Sequence, residues 1–225
     1  MGDELFDAVP RELWHKIRQQ SVIASDLARL YVCHSALRHG FACVIWLDAD
    51  FLIFAPAKLN LPDVPYALGR EIWVQYNKPA RLKVYTKVHN AFLMFRQGNS
   101  LLDFYIESAE RLLKLNKGPM PPQYIGPKLL TALHNITHMP VVDTAGMLSP
   151  LVIKDIIQGS GAALDLFMKT SATEIAGANL CTSSRDKGEV EDSEMVKLIE
   201  VLLSTGLPKI NRQGDAGHRP VYRSG

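Results

Sequence analysis

Short apolar runs of strand-forming residues alternate in this chain with longer segments whose apolar residues recur every three or four positions. The first such pair is a stripe at helical spacing over 13–37, followed beyond Gly40 by the run 44–47. The stripe predicts a helix that faces a core, and the short run predicts a buried central strand over 43–47. Strands that alternate with helices predict an α/β fold with a largely parallel sheet.

The segment 13–37 is compatible with one helix or with two helices that meet near Ser21. In the second case Ser25 is a candidate N-cap, because its hydroxyl can accept a hydrogen bond from an amide two or three residues later. Gly40 is placed to end the helix as a C-terminal cap. The sequence therefore leaves the number of helices in this region open.

The rest of the chain continues the alternation without an internal repeat. Prolines at 56, 62 and 65 predict a loop. A β-hairpin, expected to extend or cover a sheet edge, and a further short apolar run are predicted at 72–88 and 91–95. Helices are predicted over 101–113, 127–134, 150–157 with Ser149 as its cap, and from Asp192 or Ser193 to 203. One domain over 1–207 and a disordered tail over 208–225 are expected.

Composition and charge exclude several classes of protein. With 47% apolar residues the chain is too apolar to be disordered as a whole, and a net charge of +2 makes no case for nucleic acid as a partner. Its three cysteines form no C-x-x-C pair, so neither a disulfide framework nor a zinc cluster is expected. No apolar run reaches roughly 18 residues, and no signal-peptide core is present, so no transmembrane segment and a cytoplasmic location are expected.

Two carboxylates follow the predicted strand directly. Asp48 and Asp50 are two positions apart, so in extended chain they point to the same side of the strand end. Two like charges this close favour a divalent cation with oxygen ligands, and such an ion can neutralise a leaving diphosphate. Asp26 and Arg29 are three positions apart on the preceding helix and share one face, so both can reach the same cleft.

Four ordered motifs over residues 25–131 extend this pattern. They are Ser25-Asp26-Leu27-Ala28-Arg29, then Asp48-Ala49-Asp50 beginning 19 positions after Arg29, then His89-Asn90-Ala91-Phe92, and finally Ile125-Gly126-Pro127-Lys128-Leu129-Leu130-Thr131. In this order they resemble the signature of sugar-nucleotide-dependent glycosyltransferases of the GT-A fold that carry a DXD sugar-binding region.

The resemblance implies a role for each matching residue. Asp48 and Asp50 would hold Mn²⁺ or Mg²⁺ on the diphosphate, with Asp50 the more direct ligand. Asp26 would bind hydroxyl groups of the donor sugar, and Arg29 would steady the sugar or the phosphate. Asn90 would line the sugar pocket.

Two later segments have roles by the same resemblance. Gly126 and Pro127 would begin a helix near the acceptor. A late residue completes the metal shell in many such enzymes, and Asn179 is the candidate here, although a loop Asn that makes turn hydrogen bonds is the alternative.

The implied function is metal-dependent transfer of a sugar from a nucleotide-sugar donor, a UDP- or GDP-sugar, to a hydroxyl acceptor such as a glycan or glycolipid, with retention of configuration favoured. The implied fold is α/β, a GT-A-like nucleotide-diphospho-sugar transferase fold. Only 24 residues precede the first motif, so that fold would lack its first strand–helix–strand. A catalytically inactive fragment or paralogue that acts as a binding or structural domain is therefore the main alternative.

Other classes of enzyme fit the residues less well. Haloacid-dehalogenase-type phosphatases also begin with a strand that ends in D-x-D, but Leu52 stands where they usually carry Thr or Val. A glycosidase would need the two carboxylates about 5 to 9.5 Å apart across the scissile bond, and no further motif supports one.

Two further expectations concern charge. Residues 70–96 carry six basic residues and one acidic residue, a local excess of +5, which could attract a phosphorylated acceptor or anionic headgroups unless it is only a solvated hairpin face. Replacing Asp48 or Asp50 by Ala is expected to nearly abolish transfer and leave the fold intact, on the premise that these strand-end carboxylates are unpaired.

Overall fold

The computed structural model describes residues 3–208 and has a mixed α/β architecture. Its helices are α1 (Arg11–Ile17), α2 (Ser21–Arg38), α3 (Leu101–Leu115), α4 (Pro127–Thr137), α5 (Pro150–Gln158), α6 (Ala162–Thr170), α7 (Thr182–Asp186) and α8 (Asp192–Thr205). Its strands are β1 (Cys43–Leu47), β2 (Phe51–Ile53), β3 (Tyr66–Lys78), β4 (Arg81–Arg96), β5 (Val141–Val142), β6 (Ala145–Met147) and β7 (Gly177–Asn179). The tail predicted over 208–225 lies outside the described residues, apart from Pro208.

The strands form two mixed sheets, so the expected α/β class is confirmed and the largely parallel sheet is wrong. One sheet has the order β1-β4-β3-β5, and the other has the order β2-β7-β6. The β1/β4, β3/β4 and β2/β7 ladders are antiparallel, whereas β3/β5 and β6/β7 are parallel. The long strands β3 and β4 are joined by a tight turn at Ala80, whose φ is 62°, and a short turn can join only antiparallel neighbours.

The strand predicted at 43–47 exists, but it is not central. Within residues 3–208, β1 pairs with β4 alone and forms one edge of its sheet, and Ile45 on it is 38% exposed. A run of apolar residues indicates burial without indicating how many neighbours a strand has. The hairpin strands β3 and β4 occupy the interior of the sheet instead.

The N-terminal helical region divides into two helices, as one of the two interpretations predicted. The break lies between Ile17 and Ser21, so Ser25 is inside α2 and not its N-cap; its carbonyl oxygen accepts a hydrogen bond from the Arg29 side chain. Gly40 follows the end of α2 with a φ of 95°, a left-handed conformation that suits glycine.

The other predicted helices are confirmed as α3, α4, α5 and α8. Pro127 and Pro150 begin their helices as expected, but Ser149 makes no side-chain cap hydrogen bond. The sequence did not predict α6 or the short strands β2, β6 and β7.

The hairpin contains a bulge that matters for the site. Leu68 of β3 pairs with Leu93, whereas the next residue, Gly69, pairs with His89. Residues 90–92 of β4 therefore have no partner on β3, and the run predicted at 91–95 is continuous with the second hairpin strand. Beyond Gly69 the two strands pair only with each other, so the outer part of the hairpin extends past β1 and β5.

Two large apolar clusters pack on different parts of this framework. The first packs α1, α2 and α3 against the sheet and includes the buried residues Leu27, Leu93 and Tyr105. The second packs α5, α6 and α8 against the outer hairpin and includes Val74 and Phe167. No helix within residues 3–208 combines the length and the hydropathy needed to cross a bilayer.

Candidate functional site

Arg29 is the residue around which the predicted site is organised. Its side chain is buried, and its Nη1 donates to the Asn90 carbonyl oxygen at 2.8 Å and pairs with Asp48 Oδ1 at 2.8 Å. Its Nη2 lies 3.2 Å from Asp26 Oδ1, and the guanidinium carbon lies 5.5 Å from the centre of the Trp46 ring. A guanidinium has five N–H donors in a fixed plane, so one arginine joins α2, β1 and β4.

Asp26 lies in the wall of the site as a buried carboxylate. Its Oδ1 accepts a hydrogen bond from Asn90 Nδ2 at 2.7 Å in addition to the Arg29 pair. Burial raises the pKa of Asp26 to about 6, although the charge of Arg29 and the hydrogen bond from Asn90 act in the opposite direction. Its Oδ2 is buried without a donor among the described residues.

Gly126 lies directly against this carboxylate. A Cβ at this position would come within 2.3 Å of Asp26 Oδ2 and 2.8 Å of Asn90 Nδ2, so no other residue fits without displacing one of them. The Tyr105 hydroxyl donates to the carbonyl oxygen of Ile125 at 2.9 Å and holds the segment in place. All four motifs of the sequence pattern therefore meet here.

The Asp48-Ala49-Asp50 segment connects the two sheets, because β1 precedes it and β2 follows it. Asp48 Oδ1 accepts a hydrogen bond from Trp46 Nε1 at 2.7 Å in addition to the Arg29 ion pair. Asp50 accepts from Asn179 Nδ2 at 2.6 Å, and its Oδ2 accepts from the Thr182 amide and hydroxyl at 3.0 and 2.9 Å.

The premise that these carboxylates are unpaired is therefore wrong. Asp48 is anchored to α2, and Asp50 provides an acceptor for the first amide of α7. Removing either carboxylate leaves a buried or half-buried donor without its partner, which costs about 1 to 3 kcal/mol. Loss of a ligand and loss of stability must consequently be separated in any experiment on these positions.

The orientation of Asn179 follows from its second contact. Its Oδ1 accepts the Cys181 backbone N–H at 2.9 Å, and because an amide N–H only donates, the Nδ2 group must face Asp50. Asn179 thus orients Asp50; it makes the local hydrogen bond that the second interpretation expected, but it lies on β7 and not in a loop. Its role as a metal ligand stays a prediction.

Asp48, Asp50 and Asn179 line a cavity of about 760 Å³, and Pro127 contributes to it from the start of α4. Asp26, Arg29, Asn90 and Gly126 are not on its lining; they lie behind Asp48. In the structure these four residues support Asp48. Their predicted contacts with a ligand stay predictions.

The cavity contains several polar and aromatic residues that the sequence pattern did not single out. They are Glu71, Trp73, Gln75, Tyr85, Lys87, Lys128, Thr182 and Lys187. The alternation of side chains along the first hairpin strand could have indicated part of this set. Residues 71, 73 and 75 point to one side of the strand, and the apolar residues 72 and 74 point to the other. The lysines and carboxylates give the cavity charges of both signs.

Cys181 lines this cavity together with the carboxylates of Asp48, Asp50 and Glu71. Burial is the main reason that the pKa of Cys181 lies above its usual range, and the negative charges of Asp50, Glu71 and Asp48 raise it further. Burial also raises the pKa of Glu71, against the opposing charge of Lys87. Cys181 has a φ of 51°, a left-handed conformation that is rare for residues other than glycine, Asn and Asp.

The donor set is compatible with a hard divalent cation. Among the described residues no three His, Cys, Asp or Glu side chains form a ready-made metal site, and Asp48 and Asp50 offer two carboxylates. Two carboxylates suffice where phosphate oxygens and water complete the shell, as is usual for Mg²⁺. The Trp46 hydrogen bond and the Arg29 ion pair of Asp48 both fall on Oδ1.

Comparisons of this chain with protein-family models, with curated proteins and with solved structures gave no match. The assignment of function therefore depends on the residues and their geometry.

Proposed function

We propose that this chain transfers a sugar from a nucleotide-sugar donor, a UDP- or GDP-sugar, to a hydroxyl group of an acceptor, with Mn²⁺ or Mg²⁺ on the donor diphosphate. The observation that supports this most strongly is the contact network that joins Asp26, Arg29, Asp48 and Asn90 beside Gly126. These residues come from separate segments, and each is the polar or small residue that the resemblance requires. GT-A architecture and retention of configuration are part of the same proposal.

In this proposal the chain supplies a preorganised anionic wall. Asp48 and Asp50 present carboxylate oxygens to the cation, which when bound neutralises charge on the leaving diphosphate as a Lewis acid. Arg29 and Trp46 fix Asp48, and Asn179 and Thr182 fix Asp50, so little reorganisation is needed when the ligand arrives.

The cavity also carries positive charge that suits a phosphate. Lys87, Lys128 and Lys187 line it, and a lysine ammonium acts on phosphate as a mobile point charge. A ligand with a diphosphate and several hydroxyl groups would match both the lysines and the hydrogen-bonding side chains. The mixed charge of the cavity thus supports a nucleotide sugar better than a neutral ligand alone.

A second candidate function is a binding or structural domain without turnover. It is favoured by the partners that already engage Asp48 Oδ1 and both oxygens of Asp50, because these contacts give both carboxylates a structural role within the chain. Binding of nucleotide without transfer or hydrolysis would distinguish it from the enzyme.

Calorimetric titration of UDP- and GDP-sugars, with Mn²⁺ or with chelator, tests the proposal. We expect at least one donor to bind about tenfold more tightly with Mn²⁺ and to be hydrolysed or transferred, since cation and diphosphate bind with reciprocal coupling. Asp50→Asn should lose the Mn²⁺ dependence, whereas Asp63→Asn, a fully exposed carboxylate, should keep it.

Thermal unfolding of each variant distinguishes a loss of stability from a loss of ligand binding. Donor affinity that is equal in Mn²⁺ and in chelator would contradict the metal role. Binding without any turnover across the panel would favour the second candidate.

A further inference from the structure

One face of the β3–β4 hairpin lines the cavity and is not used by the core. Residues two apart on a strand point to the same side, and directly opposed residues share a face. We call this surface the ladder face; its cross-strand pairs are Glu71 with Lys87, Trp73 with Tyr85, and Gln75 with Lys83. The opposite face carries Ile72 and Val74, which are buried in the second apolar cluster. The aromatic pair of the ladder face is therefore half-exposed although the hairpin has a core side of its own.

The ladder face combines apolar rings with a polar rim. Trp73 Nε1 donates to Gln75 Oε1 at 3.0 Å. The ammonium groups of Lys83 and Lys87 lie 4.6 and 5.6 Å from the centre of the Tyr85 ring. A sugar ring has an apolar C–H face, which packs on an aromatic ring, and hydroxyl groups at its edge, which need donors and acceptors nearby. These six side chains offer both.

Solvent exposure increases along the ladder face from Glu71 to Gln75. Glu71 is only 9% exposed, Trp73 is intermediate and Gln75 is exposed. Residues 71 to 75 span about 13 Å of strand, which is longer than one sugar ring. The Glu71 carboxylate is 3.8 Å from Lys87 Nζ, beyond hydrogen-bond distance, and so retains acceptor capacity.

The buried end of the ladder face adjoins the proposed donor site. Glu71, Asp48 and Asp50 line the same cavity. Helix α4 supplies further lining residues of this cavity, namely Lys128, Thr131, Ala132 and Asn135. A polyanion would meet three carboxylates at this end, which disfavours nucleic acid or a phosphate-rich polymer.

We propose that the ladder face binds the acceptor, a neutral glycan of more than one sugar ring, which stacks on Trp73 and Tyr85 and places its terminal sugar at Glu71. Its identity as the acceptor rests on the proposed function; its identity as a glycan site rests on the face itself. The exposed end at Gln75 leaves room for the glycan to continue away from the protein.

Titration of neutral oligosaccharides into the full chain, with neither nucleotide nor metal present, tests this directly. The panel would contain the mono- to tetrasaccharides of the glucose, mannose, galactose and N-acetylglucosamine series. We expect one series to bind with affinity that rises from the monosaccharide to the trisaccharide. Trp73→Ala should weaken this binding at least tenfold.

Two further variants keep the test independent of hairpin stability. Trp73→Leu retains apolar bulk without a flat ring and should weaken binding as well, with an unfolding midpoint close to that of the unmodified chain. Tyr76→Ala removes another exposed aromatic residue of β3, one that is not on the cavity lining, and should leave binding unchanged.

Titration of the donor with Mn²⁺ into the same preparation separates the two proposals, because glycan binding is measured with neither nucleotide nor metal present. The glycan site is overturned if no oligosaccharide of the panel binds at millimolar concentration, or if folded Trp73→Leu binds like the unmodified chain. Glycan binding that depends on Trp73, in a protein that binds no nucleotide sugar, would support the ladder face as a glycan site and overturn the donor site and the acceptor role.

Discussion

Arg29 contributes more to this site than its spacing from Asp26 on a helix would suggest. An exposed Asp–Arg pair three positions apart on a helix is worth less than about 1 kcal/mol. Here the pair is buried, and the same guanidinium contacts Asp48 and the Asn90 carbonyl, so its removal would leave two carboxylates without a counter-charge. Breaking a buried pair in this way costs about 3 to 5 kcal/mol.

Asp26 gives a pH-dependent prediction at this scale. Its pKa is about 6 in the folded chain, above its ordinary value of 3.8, so the folded state binds this proton more tightly. The free energy of unfolding contributed by Asp26 therefore falls as pH rises from about 4 to about 6, by about 3 kcal/mol in total. Asp26→Asn should lack this pH dependence of stability. Urea unfolding of both proteins from pH 4 to pH 7 measures it.

The control for this experiment is Asp63→Asn, because the Asp63 side chain is fully exposed. Its stability should follow that of the unmodified chain at every pH. Parallel curves for Asp26→Asn and the unmodified chain would contradict the burial of the Asp26 charge.

The sequence predicted individual polar residues of the site better than it predicted their roles. Asp26, Arg29, Asp48 and Asn90 were each proposed from motifs, and the structure brings them into direct contact. Which of them face a ligand depends on the depth of the cavity, and spacing along a chain carries no information on depth. Thr182 was missed for a related reason, because its contact with Asp50 spans 132 positions.

The hairpin bulge is the element that directs Asn90 into the site. The offset between Leu68 and Gly69 leaves residues 90–92 without partners on β3, and bulges commonly re-aim side chains beside functional sites. The buried His89 ring fills the space above Gly69, where a Cβ would lie 2.2 Å from His89 Cε1. Burial lowers the pKa of His89 to about 4, so at neutral pH this ring acts by its shape and not by its charge.

A double-mutant cycle on this contact is the prediction at the scale of the element. Gly69→Ala should destabilise the chain by about 1 to 3 kcal/mol because the bulge is already filled. In a His89→Ala background the same change should cost at least about 1 kcal/mol less, since the conflicting ring is gone. Urea unfolding of the four proteins gives the coupling energy.

Gly118→Ala is the matched control, because a Cβ there meets no atom within 4 Å. It should change stability by less than about 0.5 kcal/mol. Additive costs for Gly69→Ala and His89→Ala would contradict the proposed packing of the bulge.

Element prediction from the sequence succeeded where periodicity extends over many residues and failed where it does not. Helices α2, α3 and α8 have 18, 15 and 14 residues and were found, whereas β6 and β7 have three each and carry no usable period. The largely parallel sheet was wrong because the hairpin was expected at a sheet edge, whereas β3 and β4 form the interior of the sheet and β1 pairs antiparallel with β4.

At the scale of the molecule, the candidate site joins elements that belong to the two large apolar clusters. Arg29 and Asn90 belong to elements of the first cluster, whereas Asn179 lies on β7 beside Ala178 and Leu180 of the second. Asp48 contacts the first group and Asp50 contacts the second. A ligand held by both carboxylates would therefore connect the two clusters.

This arrangement predicts that ligand binding stabilises both clusters together. UDP or GDP with Mn²⁺ at about 100 times its dissociation constant should add about 2.7 kcal/mol to the free energy of unfolding. For a chain of this size that corresponds to a rise in Tm of roughly 5 to 10 °C.

Amide hydrogen exchange should slow in α2 and β4 and also in β7 and α7, because all four contribute contacts to the carboxylates or to their anchors. Asp50→Asn, melted and exchanged under the same conditions, should show neither effect. Protection confined to α2 and β4 would show that the nucleotide contacts only the Asp48 side, and the bridging role of the Asp48-Ala49-Asp50 segment would then be wrong.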